Sequence, residues 1–171
     1  MIAVADTSPI RYLVRIGEID ILSRLYAKVV LPGVVLDELQ AEDGLRIVRE
    51  WAVQLPGWVE LGAPAKPLID SIPNLHRGER EAIALAEELR APLLLIDDRI
   101  GVKVALERGL TVTGTLGILV EAAQAGLVEI EPALRKLQET NFRATAGLYE
   151  RALEMASRDP AIPPRRSRGW V

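Results

Sequence analysis

Two short, unbroken apolar runs end on acid and lead into a helix signal: Ile2 to Ala5 before Asp6, and Leu93 to Ile96 before Asp97 and Asp98. A strand with one wet face alternates apolar and polar residues. A continuous apolar run instead suits a strand covered on both faces, as in a parallel sheet between layers of helices. The same runs put carboxylates at strand C-terminal ends, where open α/β sheets build their sites. Acids at such a buried edge carry a desolvation cost unless something pairs with them, and a divalent cation is one partner.

The rest of the chain alternates strand and helix signals, which predicts an α/β fold: a mostly parallel central sheet with helices on both faces. Ser8-Pro9 supplies an N-cap followed by proline at the first helical position. Apolar residues from Tyr12 to Leu25 then mark two short helices separated near Gly17. Strand Lys28–Leu31 follows, and Pro32 opens a helix that turns Val35, Leu36 and Leu39 inward. A helix over Leu45–Val53 and a short strand over Trp58–Leu61 come next. Gly62 to Leu75 has little periodicity and reads as a loop. Further on, the pattern predicts a helix from Gly78 to about Arg90, strand Leu93–Ile96, helix Arg99–Arg108, strand Leu110–Thr113 and helix Leu116–Ala125. Two more helices are expected over Pro132–Glu139 and Ala144–Ala156. We read residues 1–157 as one domain and 158–171, rich in proline and arginine, as a mobile tail.

Composition narrows the chemistry. With 171 residues, 49% of them hydrophobic, the chain has enough apolar mass for one real core. A net charge of −3 offers no general basic field for nucleic acid, although it leaves room for a local site. The absence of cysteine excludes disulfides, thiolate metal sites and cysteine nucleophiles. No signal peptide or membrane-length apolar run is evident, so a cytoplasmic protein is expected. There is no G-x-S-x-G, G-x-G-x-x-G or Walker-type lysine loop, which leaves serine-hydrolase and nucleotide-binding readings unsupported.

Each candidate acid also has an ordinary explanation. Asp6 stands where an aspartate favours a helix start without any function. Glu38 lies nearer than Asp37 to the border of the Val35–Leu36–Leu39 stripe, yet surface glutamates are common on helices. Glu79 and Glu81, two residues apart, cannot share a face; the Ala82–Leu85–Ala86–Leu89 stripe passes closer to Glu79. In the Asp97-Asp98 pair, alternation gives one member most of any chemistry. Thr113-Gly114-Thr115 offers hydroxyls or amides, or is an ordinary turn. His76 reads as a surface residue, and Arg165, Arg166 and Arg168 as a solvated tail.

Four segments in order, VADTSP from Val4, LPGVVLDEL from Leu31, GEREAIALA from Gly78 and LLLIDDR from Leu93 followed by VTGTLG, resemble the PIN-domain family of metal-dependent ribonucleases. The resemblance spans Ile2 to Leu127, is weaker over NFR…LYE, and is nearest to a prokaryotic branch related to VapC-type toxins. It implies a three-layer Rossmann-like PIN fold and four acids around Mg²⁺ or Mn²⁺, carried here to Asp6, Glu38, Glu79 and Asp98. Asp97 and Glu81 stand as substitutes for their neighbours, and Thr7, Ser8 and Thr115 as supporting residues. It further implies an RNA substrate, an antitoxin protein as partner and a homodimer. The third acid is commonly aspartate in the better-known members, whereas this chain has glutamate. Hard-ion chemistry agrees with the type of ligand, since Mg²⁺ and Mn²⁺ favour oxygen donors. Arg99 and Lys103, one turn apart, are candidates for holding an RNA backbone or simply a solvated face.

Two other functions compete. A non-catalytic PIN-like module would bind or assemble without cutting, and the glutamate at the third position keeps that reading open. A phosphoacceptor or phosphatase could use a similar sheet. A haloacid-dehalogenase-like site, however, expects an acid where Ser8 stands, and a receiver-like site needs an acid pair after strand one and a late lysine.

Overall fold

The computed structural model describes residues 1–66 and 74–158. Strands β1 (Ile2–Ala5), β2 (Lys28–Pro32), β3 (Val59–Gly62), β4 (Leu93–Leu95) and β5 (Val112–Thr113) form one sheet in the order β3-β2-β1-β4-β5. Every pairing in it is parallel, with Val4 opposite Val30 on one side and Leu94 on the other. The chain runs outward from β1 through β2 to β3, then returns to the far side of β1 for β4. The strand order therefore reverses between β1 and β4, and open α/β sheets form a crevice beyond the C-terminal ends of such a pair. Both acid-terminated runs of the sequence end there.

Helices α1 (Thr7–Ile16), α2 (Ile21–Leu25), α3 (Gly33–Leu39), α4 (Arg46–Val53), α5 (Arg77–Glu88), α6 (Arg99–Glu107), α7 (Thr115–Gln124), α8 (Ile130–Gln138) and α9 (Ala146–Ala156) complete the described elements. Side-chain alternation along the strands divides the core in two. Val4, Val30, Leu94 and Ile96 meet α5 and α6 on one face. Ala3, Ala5, Val29, Leu31, Leu93 and Leu95 meet the remaining helices on the other. This is the expected three-layer arrangement. Residues such as Leu31, Ile83, Leu95 and Ile118 have essentially no exposure. Burying an aliphatic side chain of this size contributes about 1.5–3 kcal/mol relative to leaving it in water.

Several boundaries differ from the sequence reading for local reasons. α1 begins at Thr7 with Asp6 as its N-cap, so Ser8 is already helical rather than the cap. Of the stripe on α3, Val35 and Leu39 are buried, while Leu36 is only half covered. β5 is shorter than expected because the Leu110 N–H closes α6 on the Ala105 carbonyl, leaving Val112 and Thr113 to pair with Leu94 and Leu95. Among the described residues no helix is long and apolar enough to cross a membrane. Most of the expected tail, and residues 67–73 of the expected loop, lie outside the described residues.

Candidate active site

Asp6 closes β1, where its backbone N–H donates to the Leu95 carbonyl of β4 at 2.9 Å. That bond fixes the acid at the seam between the two strands, and its side chain is 3% exposed. Burial pushes the carboxyl up to about 7 from its ordinary 3.8; the charges of Glu79 and Glu38 push the same way, and the Thr7 and Ser8 amides offset part of the effect.

Glu38 reaches this point from α3, half-buried, while Asp37 beside it is exposed. The Thr7 hydroxyl donates to Glu38 Oε2, so the first residue of α1 holds the carboxylate of α3. The first turn of α5 lies directly against it. A Cβ on Gly78 would stand 2.8 and 2.9 Å from the two Glu38 oxygens, so any side chain there would push the Glu38 carboxylate out of this position.

Glu79 follows in the same turn and is 6% exposed. Its Oε2 accepts the His76 backbone N–H at 2.9 Å, tying the carboxylate to the start of its own helix. Burial raises its pKa, with the Asp98 and Glu38 charges adding and His76 opposing. Glu81 turns away and pairs with Arg77 at 3.3 Å on the flank of α5.

The two aspartates after β4 have different neighbours. Asp98 caps α6, its Oδ1 accepting from Ile100 N–H at 2.7 Å and Gly101 N–H at 3.0 Å. Its Oδ2 takes no hydrogen bond from the described residues, and its charge is felt by Glu79. Asp97 instead spends both oxygens on Thr115: Oδ1 accepts the backbone N–H at 2.7 Å and Oδ2 the hydroxyl at 2.6 Å. Burial pushes Asp97 up to about 6, with the two Thr115 bonds opposing. Gly114 is part of the same joint, since a Cβ there would meet Asp97 Oδ1 at 2.5 Å. Asp97 thus links the end of β4 to the start of α7.

The acids line a two-lobed cleft. Asp6, Thr7, Glu38 and Glu79 border a lobe of about 710 Å³. Glu79, Asp97, Asp98 and Arg99 border a second of about 880 Å³, and Ser8, His76, Glu79 and Asn141 belong to both. Among the described residues no lysine or arginine forms an ion pair with Asp6, Glu38, Glu79, Asp97 or Asp98. Nor, among them, are any three His, Asp or Glu side chains grouped as a ready-made metal cage. Each of Glu38, Glu79 and Asp98 is held at one oxygen by protein hydrogen bonds.

Sequence reasoning missed the rim. Arg11 and Arg15 of α1 and the Asn141–Arg143 segment between α8 and α9 border the cleft. His76 is exposed, as expected, yet it sits between the two lobes. The available signal was helical spacing: Ser8, Arg11 and Arg15 recur at three- and four-residue steps and so share one face of α1. Lys103 is absent from either lobe and pairs with Glu107 at 3.9 Å.

A family model described as DUF3368: PIN domain matches residues 2–158. The chain belongs to the PIN domain family. PIN domains are in general nucleases, which makes the acidic cleft the natural place to look for chemistry. No protein of curated function matches the chain. Among solved structures, a PilT N-terminus domain protein from the hyperthermophilic archaeon Sulfolobus solfataricus P2 is 23% identical, with a TM-score of 0.47. That alignment covers 85% of this PIN domain chain and all of the archaeal one.

Proposed function

We propose that this PIN domain is a Mg²⁺- or Mn²⁺-dependent endoribonuclease that cuts RNA phosphodiesters at the Asp6–Glu38–Glu79–Asp98 cleft. The observation that carries the reading is electrostatic. Carboxylates from four separate elements line one cleft, burial and, after it, repulsion between them raise the pKa of Asp6 and Glu79, and none forms an ion pair with a lysine or arginine among the described residues. Buried like charges of this kind are costly unless a cation compensates them.

The donor chemistry fits a small hard ion, being oxygen-only and net negative. Glu38, Glu79 and Asp98 each use one oxygen for a protein hydrogen bond that fixes the side chain, and keep the other for a ligand. Outer bonds of this type orient metal-binding carboxylates. A bound divalent ion supplies an acidified water and positive charge against a phosphodiester in transition. The chain itself supplies the positioning: Asp6 is fixed at the β1–β4 seam, Thr7 sets Glu38, and Asp97 anchors Thr115 so that the next strand end keeps its place. On the family resemblance, the reading extends to a cytoplasmic toxin that acts as a homodimer under an antitoxin protein.

Cleavage of an end-labelled single-stranded RNA tests the proposal. Product is expected with Mg²⁺ or Mn²⁺ and none in EDTA; cleavage undiminished by EDTA would overturn it. The lack of a preformed cage favours one rival, a binding module without catalysis. Bound but uncut RNA with either metal would decide for that rival.

A further inference from the structure

The larger lobe holds aromatic and basic groups that the four-acid chemistry does not use. We propose that it is a nucleotide subsite, in which the Tyr12–Phe142 pair takes an RNA base and Arg99 and Arg143 hold the adjoining phosphates. The proposal rests on the ribonuclease reading and deepens it, naming the side chains that seat a base and its phosphates beside the cut.

The two rings meet edge to face, with centroids 4.9 Å apart and planes at 85°. Both are only half-buried and border the lobe, so part of each ring faces the cleft rather than the core. Their setting is fixed in advance. Arg15 donates to Asn141 Oδ1 and at the same time stands 5.9 Å from the Tyr12 ring centre, fastening the α8–α9 joint to α1. Within the joint, the Phe142 N–H donates to Thr140 Oγ1 at 3.1 Å, and that hydroxyl donates to the Leu137 carbonyl at 2.6 Å. A platform held in place loses little freedom when a base arrives.

The charges around the pair suit a backbone. Arg99 and Arg143 are exposed on the lobe and enter no ion pair among the described residues. Asp98 and Glu79 border the same lobe, so a base on the platform lies next to the phosphate they address. Aromatic stacking accepts any base, whereas duplex RNA keeps its bases inside the helix; the surface therefore selects unpaired RNA without selecting sequence. An ordinary packing role for the pair would leave Phe142 replaceable by leucine at no loss of RNA affinity.

The test is equilibrium binding of fluorescent single-stranded RNA to the full chain carrying Asp6→Asn, with Mg²⁺ present, read by anisotropy. Phe142→Leu should raise Kd about tenfold, and one abasic position in the RNA should do the same. Combining the two should add nothing further, because both remove one contact. Arg143→Gln, at an exposed position that does not endanger folding, should lower the salt slope by about 0.7. Abasic positions without effect, or losses that multiply when combined, would overturn the subsite. Base-sensitive binding without cleavage by the wild-type chain would uphold the subsite and reject the nuclease. Cleavage insensitive to abasic positions would do the reverse.

Discussion

Asp6→Asn is expected to abolish RNA cleavage and, at the same time, to make the protein more stable at alkaline pH. Loss of one central carboxylate should lower kcat by about 10³-fold or more, a barrier increase of roughly 4 kcal/mol and within the several kcal/mol that metal assistance provides. The stability gain follows from linkage. Asp6 is raised by burial, and secondarily by Glu79 and Glu38, from 3.8 to about 7. The folded protein therefore holds this proton more tightly than the unfolded chain. Below about pH 4 both states are protonated and the residue has no linkage cost. As pH rises towards 7, the unfolded chain ionises freely and the folded protein cannot, so stability is lost. Above about pH 7 the loss is complete, at up to about 4 kcal/mol. Asparagine never ionises, so urea unfolding at pH 4 and 8 should show the variant gaining on wild type only at the higher pH. Equal stability at pH 8 would contradict the burial and repulsion assigned to Asp6.

The second large effect separates the two aspartates after β4. Asp98→Asn should cost kcat about 10³-fold, because it removes the charge of a cleft-lining carboxylate with one oxygen that takes no hydrogen bond from the described residues. Asparagine is as good a helix N-cap as aspartate, so unfolding free energy should change by less than about 1 kcal/mol and lost activity cannot be lost fold. Asp97→Asn should lower kcat by less than about tenfold. Both Asp97 oxygens already serve Thr115, and the asparagine oxygen can still accept the Thr115 N–H. Single-turnover cleavage by the two variants reads the difference directly. A larger loss from Asp97→Asn would move the fourth ligand by one residue.

The sheet was legible because its central strands are continuous apolar runs, and only burial on both faces makes such runs favourable. The acids at their ends were legible for the same reason, being abrupt charges at the edge of a buried layer. Helical angle favours Glu38 over Asp37 and, by less, Glu79 over Glu81, and the structure puts Glu38 and Glu79 at the cleft. What helical angle does not report is a hydrogen-bond partner far along the chain. The Thr7–Glu38 bond joins residues 31 apart and the Asp97–Thr115 bonds join residues 18 apart. Nothing in either local segment announces them. The rim was hidden for a related reason: Asn141, Phe142 and Arg143 lie in an aperiodic joint, brought to α1 by tertiary contacts of Arg15 and Tyr12. Gly78 reads as the start of a helix and Gly114 as part of a turn, whereas in the fold they make room for Glu38 and Asp97.

The most direct test of the central claim is a calorimetric titration of Mn²⁺ into the full chain at pH 8, repeated with Asp6→Asn. Saturable binding to the wild-type chain is expected, with at least a tenfold weaker affinity in the variant. No binding by the wild-type chain, or equal affinity in both, would contradict it.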